Sequence, residues 1–488
     1  MSRLYHLRPT GMHIGHHNML QRAENKMGVK PVGRLLISMG LPIMLSMLIQ
    51  ALYNVVDSIF VARFSETALT AVSLAFPIQL LMISVAVGTS IGVNSLLSRR
   101  LGERRFGDAN VTAMNGLFLS VVVWILFAIA GIGITPWFFQ FFTKDAVIVA
   151  YGQQYLSICT IVSLGLFAEV ICERIMQATG DTIHPMLTQG IGAIINIILD
   201  PIMIFGLLGF PRMGVAGAAW ATVIGQTVAM LVALCFVLRK TPDVQLVFKG
   251  FKPDLKVIKE IFQVGFPSIV MQSVGSVMTV GMNMILIAFS ATAVSVFGVY
   301  FKLQSFIFMP VFGLTSAMIP IIGYNYGARK PQRIAKAIKS GLSIAALIMC
   351  CGLLLFQIAP GFLLEMFNAS DDMLAIGTRA LRAISLCFPL AAVGIVFGSF
   401  FQAIGKGAYS LFISLIRQLL CLLPSAFVLS RLGGLDAVWY SFLIAEMVSL
   451  VFSVIMFKRT YRKKIAALVS PDGDTLPSKA EMPALTGE

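Results

Sequence analysis

Residues 40–63 read GLPIMLSMLIQALYNVVDSIFVAR. The run stays apolar for longer than the roughly 20 residues a helix needs to cross a bilayer, so it predicts a transmembrane helix. Inside it stands one acid, Asp57, with Gln50 and Asn54 at the preceding helical positions i and i+4 and Asp57 itself at i+7. That spacing puts the three on a single polar stripe of an otherwise apolar helix. An ionisable side chain at mid-membrane costs about 2.5–3.5 kcal/mol on insertion scales, so the stripe is a candidate functional feature.

The stretch has a counterpart 225 residues further on. Gly40 and Pro42 fall on Gly265 and Pro267, Ser65 and Thr67 on Ser290 and Thr292, and Phe76 and Gln79 on Phe301 and Gln304. Gly88, Gly102 and Gly116 fall on Gly313, Gly327 and Gly341, and Gln177 and Gly180 on Gln402 and Gly405; after a short deletion Trp220 meets Trp439. Apolar runs place helices near 35–62, 68–97, 110–135, 147–173, 183–208 and 214–238, and a second six near 257–287, 291–322, 333–358, 373–403, 408–430 and 436–457. The expected fold is all-α and integral to the membrane: twelve transmembrane helices in two pseudo-symmetric six-helix bundles. Six spans per unit gives both units the same orientation, related by an axis along the membrane normal, an arrangement that encloses a central cavity. The expected division is a polar leader 1–33, a first lobe 34–238, a linker 239–256, a second lobe 257–458 and a polar tail 459–488.

Composition agrees with a chain whose solvent is lipid. Of 488 residues 57% are hydrophobic and 12% charged, against about 45–50% and 25% in soluble domains. The net charge of +15 does not point to nucleic acid, because Lys and Arg sit in alternate connections. One side holds Arg22, Lys26, Lys30, Arg34, Arg99, Arg100, Arg104 and Arg105, then Arg239 to Lys259, Arg329 to Lys339 and Arg459 to Lys464. The other holds little beyond Arg63, Lys144, Arg212 and Arg431. The rich side is the cytoplasmic one, which puts both termini inside. The seven Cys lie in apolar segments without a CxxC pair and read as free thiols; His13, His16 and His17 stand in the polar leader, where Met12, Met19 and Met27 are alternative starts.

Asp200 is the second intramembrane acid. Asn196 stands one turn before it, and Pro201 directly after it leaves the Ile197 carbonyl without its helical donor. Asp57 and Asp200 lie on helices that both start inside, at matched depth in the outer half of the same unit. Two carboxylates, the amides of Asn54 and Asn196 and a freed carbonyl form an oxygen-rich site for Na⁺ or for a shared proton. Two like charges in a low dielectric are not both stable. Glu169, Glu173, Lys302, Arg417 and Glu446 are weaker candidates: Glu173 reads as a solvated helix end beside Arg174, and Lys302 and Arg417 as paired or snorkelling. Met271, Met278, Met282, Met284 and Phe289 would line an adaptable apolar pocket or simply pack.

The runs GLPIMLSMLIQALYNVVDSIFVAR, NIILDPIMIFG (196–206), GVAGAAWATVIGQ (214–226) and IPIIGYNYGARK (319–330) resemble the multidrug and toxic-compound extrusion (MATE) transporters, over about residues 33–460. The resemblance implies a monomeric antiporter in a bacterial inner membrane that exports organic cations, antibiotics among them, in exchange for H⁺ or Na⁺ and needs no other cofactor. It makes Asp57 the coupling acid of the first helix, with Asn196 and Asp200 on the fifth and Tyr155 and Thr222 as partners on the fourth and sixth. Asp57, Asn196 and Asp200 would be the Na⁺ ligands. Gln50 and Asn54 fall on cavity-facing positions, Tyr53 and Met282 are taken with Gln50 as substrate contacts, and Pro42 matches a proline at which the first helix bends; Pro201 is the other conformational position. Acids that some relatives carry in the seventh and tenth helices are absent from PSIVMQSVGSVMTVGMNMILI (267–287) and from mid-depth of the tenth.

Two other transporter classes compete. A major-facilitator carrier also has twelve spans, and SRRLGERR (98–105) resembles its basic loop, but Ser98 stands where the acid before that loop belongs. A lipid-linked oligosaccharide flippase would offer basic groups to a pyrophosphate, whereas this interior offers acids. No GxxxxGK[ST] occurs, so the chain is not expected to be an ATPase or any enzyme, and an ion gradient is the expected energy source.

Overall fold

The computed structural model describes residues 24–367 and 369–468. The His-rich part of the leader and the tail beyond residue 468 lie outside them. The first described helix, α1 (Lys26–Val29), is short; Asn25 caps it by accepting from the Met27 amide. Six spans follow. They are α2 (Val32–Phe64), α3 (Glu66–Gly102), α4 (Phe106–Phe142), the broken pair α5 (Ala146–Ile161) and α6 (Leu164–Ala178), α7 (Ile183–Phe205) and α8 (Val215–Lys240). The second set is α9 (Leu255–Ile287), α10 (Ala291–Gly327) and α11 (Pro331–Ile358), then the short α12 (Pro360–Glu365) and the broken pair α13 (Asp371–Ser385) and α14 (Phe388–Ala403). It ends with α15 (Gly407–Leu415), which runs through a π-helical stretch Ile416–Leu422 into α16 (Leu423–Leu432), and α17 (Gly434–Val438) leading into α18 (Ser441–Thr460). Among the described residues ten spans are long and apolar enough to cross a membrane on their own, and the two broken pairs, each taken as one span, bring the number to 12.

Several helices outrun the sequence expectation. α3, α4 and α10 each have 37 residues, about 55 Å at 1.5 Å per residue, against a hydrocarbon core of about 30 Å. The inner end of α3 continues past the apolar run as a basic turn with Arg99 and Arg100, whereas that of α4 begins with Asp108 in its first turn.

The duplication is visible in local chemistry as well as in helix order. Ser65 and Ser290 both hold extended backbone where one span turns into the next. Asp145 and Ser370, again 225 apart, cap the broken pairs by accepting from amides of the first turn. The breaks themselves fall within one residue of that register. α5 and α6 meet at 43° around Val162 and Ser163, and α13 and α14 at 49° around Leu386 and Cys387. In the second pair Pro389 lies in the first turn of α14 and has no N–H to continue the helix backwards. In the first, Ser163 Oγ donates to the Thr160 carbonyl at 2.7 Å instead. Pro42, by contrast, lies inside an unbroken α2.

The two bundles press together at one end. A Cβ on Gly88 or Gly92 would strike the α9 backbone at Ile269 or Ile261, and one on Gly102 would lie 2.0 Å from the Tyr324 carbonyl of α10. Gly313 and Gly327 answer from the other side, against the backbone of Met44 and of Arg99. Only a residue without a side chain permits such approaches. Ser95 Oγ also donates to the Gln402 carbonyl at 2.5 Å. This is the end that carries both described termini and the basic connections.

Residues 24–30 run across that seam as a strap. Asn25 Nδ2 donates to the Thr179 carbonyl (2.8 Å) and to Asp243 (2.7 Å). From the second bundle, Lys330 Nζ donates to Glu24 (2.6 Å), while Arg333 Nη2 and Asn325 Nδ2 both donate to the Met27 carbonyl at 3.0 Å. The connection between the bundles is held to the first one, since Asn110 and Asn115 accept from the Gln245 and Asp254 amides.

Candidate functional site

Asp57 of α2 and Asp200 of α7 meet. With a proton on either, the two carboxyl groups are hydrogen-bond partners; without one, Asp57 Oδ1 is buried with no donor among the described residues. Asp200 is fully buried, and Asn196, 3% exposed, sits one turn below it. The Asn196 amide lies 3.4 Å from Asp200 Oδ1 and 3.3 Å from Thr222 Oγ1 of α8. Turning that amide over improves the set: its nitrogen donates to Asp200 Oδ2 (3.3 Å) and its oxygen accepts from the Thr222 amide (3.2 Å). Pro201 stays within α7, which runs on to Phe205 and ends at Gly206 in the left-handed region (φ 75°).

Tyr155 of α5 completes the group beside Asp57. It is 2% exposed, accepts from Gln79 Nε2 at 3.0 Å, and has Cys159, Asp57 and Tyr53 as its electrostatic neighbours. Among the described residues no three His, Cys, Asp or Glu side chains converge.

Below this pair, towards the strap, opens a cavity between α2, α6, α7 and α8. It holds about 550 Å³ of space free of protein atoms, part of it continuous with solvent, and is lined by Gln50, Tyr53, Leu166, Glu169, Val170, Gln189, Gly192, Ala193, Asn196, Thr222 and Gln226. Small residues make the space: Gly192 and Gly225 bring α7 and α8 close, and Gly165 seats α6 against the Thr227 backbone.

The structure therefore brings together Asp57, Asp200, Asn196, Thr222 and Tyr155, and puts Gln50 and Tyr53 on the cavity wall. Three expectations need correction. Met282 is fully buried in the core of the second bundle and lines no part of the cavity. Asn54 is on the exposed side of α2, and among the described residues its side chain makes no hydrogen bond. Glu173 is not a solvated helix end but 4% exposed, accepting from Thr188 (3.5 Å) and Gln189 (3.3 Å). α6 continues to Ala178, so both glutamates are a turn or more from its end. Glu169 is the acid that faces the cavity, and Gln189 and Gln226 join it there as polar groups that sequence reasoning did not single out.

The second bundle has a different polarity. Arg417 donates to Glu446 at 3.1 Å, with side chains 26% and 11% exposed, and Lys302 lies 5.9 Å over the Phe367 ring.

The MatE family model matches the chain twice, over residues 42–202 and 267–428, and the two matches begin on the paired prolines Pro42 and Pro267. The multidrug export protein MepA of Staphylococcus haemolyticus is 26% identical over 84% of this chain and 89% of its own length. MepA of Staphylococcus aureus is 23% identical over 85% and 91%. Among solved structures, the outward-facing conformation of a multidrug resistance MATE family transporter is 26% identical. It covers 92% of this chain and 99% of its own, with a TM-score of 0.84.

Proposed function

Because the chain belongs to the MatE family of multi-pass membrane transporters, we propose that it exports drug-like organic cations in exchange for an inward-moving ion, by presenting one cavity alternately to the two sides of a bacterial inner membrane. The observation that carries this reading is the contact between Asp57 and Asp200 at the head of the Asn196–Thr222 network. Two carboxyl groups that close hold together only with a cation between them, and a proton fits the hydrogen-bonded arrangement directly. Na⁺ between Asp57, Asp200 and Asn196 is the alternative coupling ion.

The basic end of the molecule is the cytoplasmic one by the positive-inside rule, with both termini there. The glycine seam then closes the cytoplasmic side and the state is open outward. Lobes 34–238 and 257–458 rock about linker 239–256. In the outward state the acids take up a proton from outside and release cargo; in the inward state they give it up and cargo is loaded.

Dye efflux from proteoliposomes tests this. An imposed pH gradient should drive ethidium export, whereas a drive by Na⁺ alone would identify the other ion. Asp57→Asn and Asp200→Asn should each abolish it while the protein stays folded and inserted. Normal efflux by both variants would sink the proposal.

A further inference from the structure

Glu169 is 8% exposed and lies on the cavity wall. Its neighbour Glu173 has its donors in Thr188 and Gln189, but Glu169 has none and takes part in no ion pair among the described residues; the charge that acts on it is the like charge of Glu173. A buried carboxylate without donor or counter-ion is costly. Asp57 and Asp200 do not serve the cavity in its place, since each faces the other at its outer end. Tyr53 stands between, on the wall, with Glu169, Asp57 and Asp200 as its electrostatic neighbours. Opposite, Gln189 Oε1 is buried without a donor, a second acceptor left open.

We propose that Glu169 is the carboxylate that recognises the cargo, separately from the ion-coupling pair, and that it selects a lipophilic organic monocation with its charged nitrogen against Glu169 and its flat body on Tyr53. The inference rests on the export reading above and assigns the substrate contact within it. The chemistry is matched on each side: the carboxylate gains its missing counter-ion, the ring face attracts a cation, and Leu166, Val170 and Ala193 cover the apolar body. A bare inorganic cation would leave those apolar walls unused.

The experiment uses the full-length protein in lipid nanodiscs with ethidium as the probe, read by fluorescence anisotropy and accompanied by size-exclusion profiles. Glu169→Gln keeps the shape and removes the charge; it should weaken ethidium at least about tenfold, the scale of losing one partner of a buried charge pair. Glu169→Asp should restore most of the affinity. Equal binding by wild type and Glu169→Gln would overturn the assignment and leave the export reading standing. Equal loss in both variants, with both monodisperse, would also overturn it, since charge would not be what matters. Failure of the wild type to bind any ethidium would remove the export reading and this assignment together.

Discussion

Asn196 serves two residues and the cavity at once. Its amide reaches Asp200 and the Thr222 backbone or hydroxyl, while its flank lines the cavity, so it links the paired acids to the cavity. On the opposite bundle the buried partners are Arg417 and Glu446. Glu446→Ala leaves a partly buried guanidinium alone, a change worth up to about 3–5 kcal/mol for a fully buried pair and less here because Arg417 retains some exposure. The expected result is a lower melting temperature in detergent, recovered by the double change Arg417→Met with Glu446→Leu; a single variant as stable as wild type would show the pair to be ornamental. Which acids matter was partly readable from the chain. Asp57 and Asp200 stood out because each is a lone charge in a long apolar run with an amide one turn away. Glu169 does not, since a fourth span read to residue 173 leaves it near the cytoplasmic end of the helix. Met282 was misplaced for a different reason: methionine at helical spacing looks the same in a core as on a cavity wall, and only packing separates them.

At the scale of the element, the informative feature is the break between α5 and α6. A straight fourth span would carry Glu169 along the line of Tyr155, and the 43° bend redirects α6 over the cavity. Gly165 permits the new course, because a Cβ there would lie 2.8 Å from the Thr227 amide nitrogen. Gly165→Leu should push α6 off α8, lower thermal stability by an amount typical of overpacking, about 1–3 kcal/mol, and weaken cation binding together with it. Unchanged melting and binding would show that the contact gives way freely. The existence and order of the spans were legible from apolar runs, and the two-fold repeat from one constant shift. The breaks were not, since neither Val162–Ser163 nor Leu386–Cys387 interrupts hydropathy; the helix ends were also short, because α3 and α10 run on past the lipid, where hydropathy carries no signal.

For the whole molecule, the two bundles meet through glycines on both sides and through one apolar core that joins Leu35, Leu36 and Leu97 to Val257, Ile261 and Ile322. Much of the polar bonding there comes from the strap. Asn25→Ala with Lys330→Ala removes the ties of Asn25 to Thr179 and Asp243 and those of Glu24 and Gly28 to Lys330, each worth about 0.5–1.5 kcal/mol as a hydrogen bond. Amide exchange measured by mass spectrometry over residues 321–334 should then speed up relative to wild type. Identical exchange would mean that the seam holds itself.

The strap belongs to neither copy of the repeated unit, and the family match begins after it, at residue 42. Its effect is best expressed as an equilibrium constant between the two access states. Each 1.4 kcal/mol of clamping on the closed end multiplies that constant by about ten, without altering a single group in the ion pair or the cavity. Two transporters with identical sites and different leading segments would thus share selectivity and differ in turnover, with the one held more firmly waiting longer before it reopens to load.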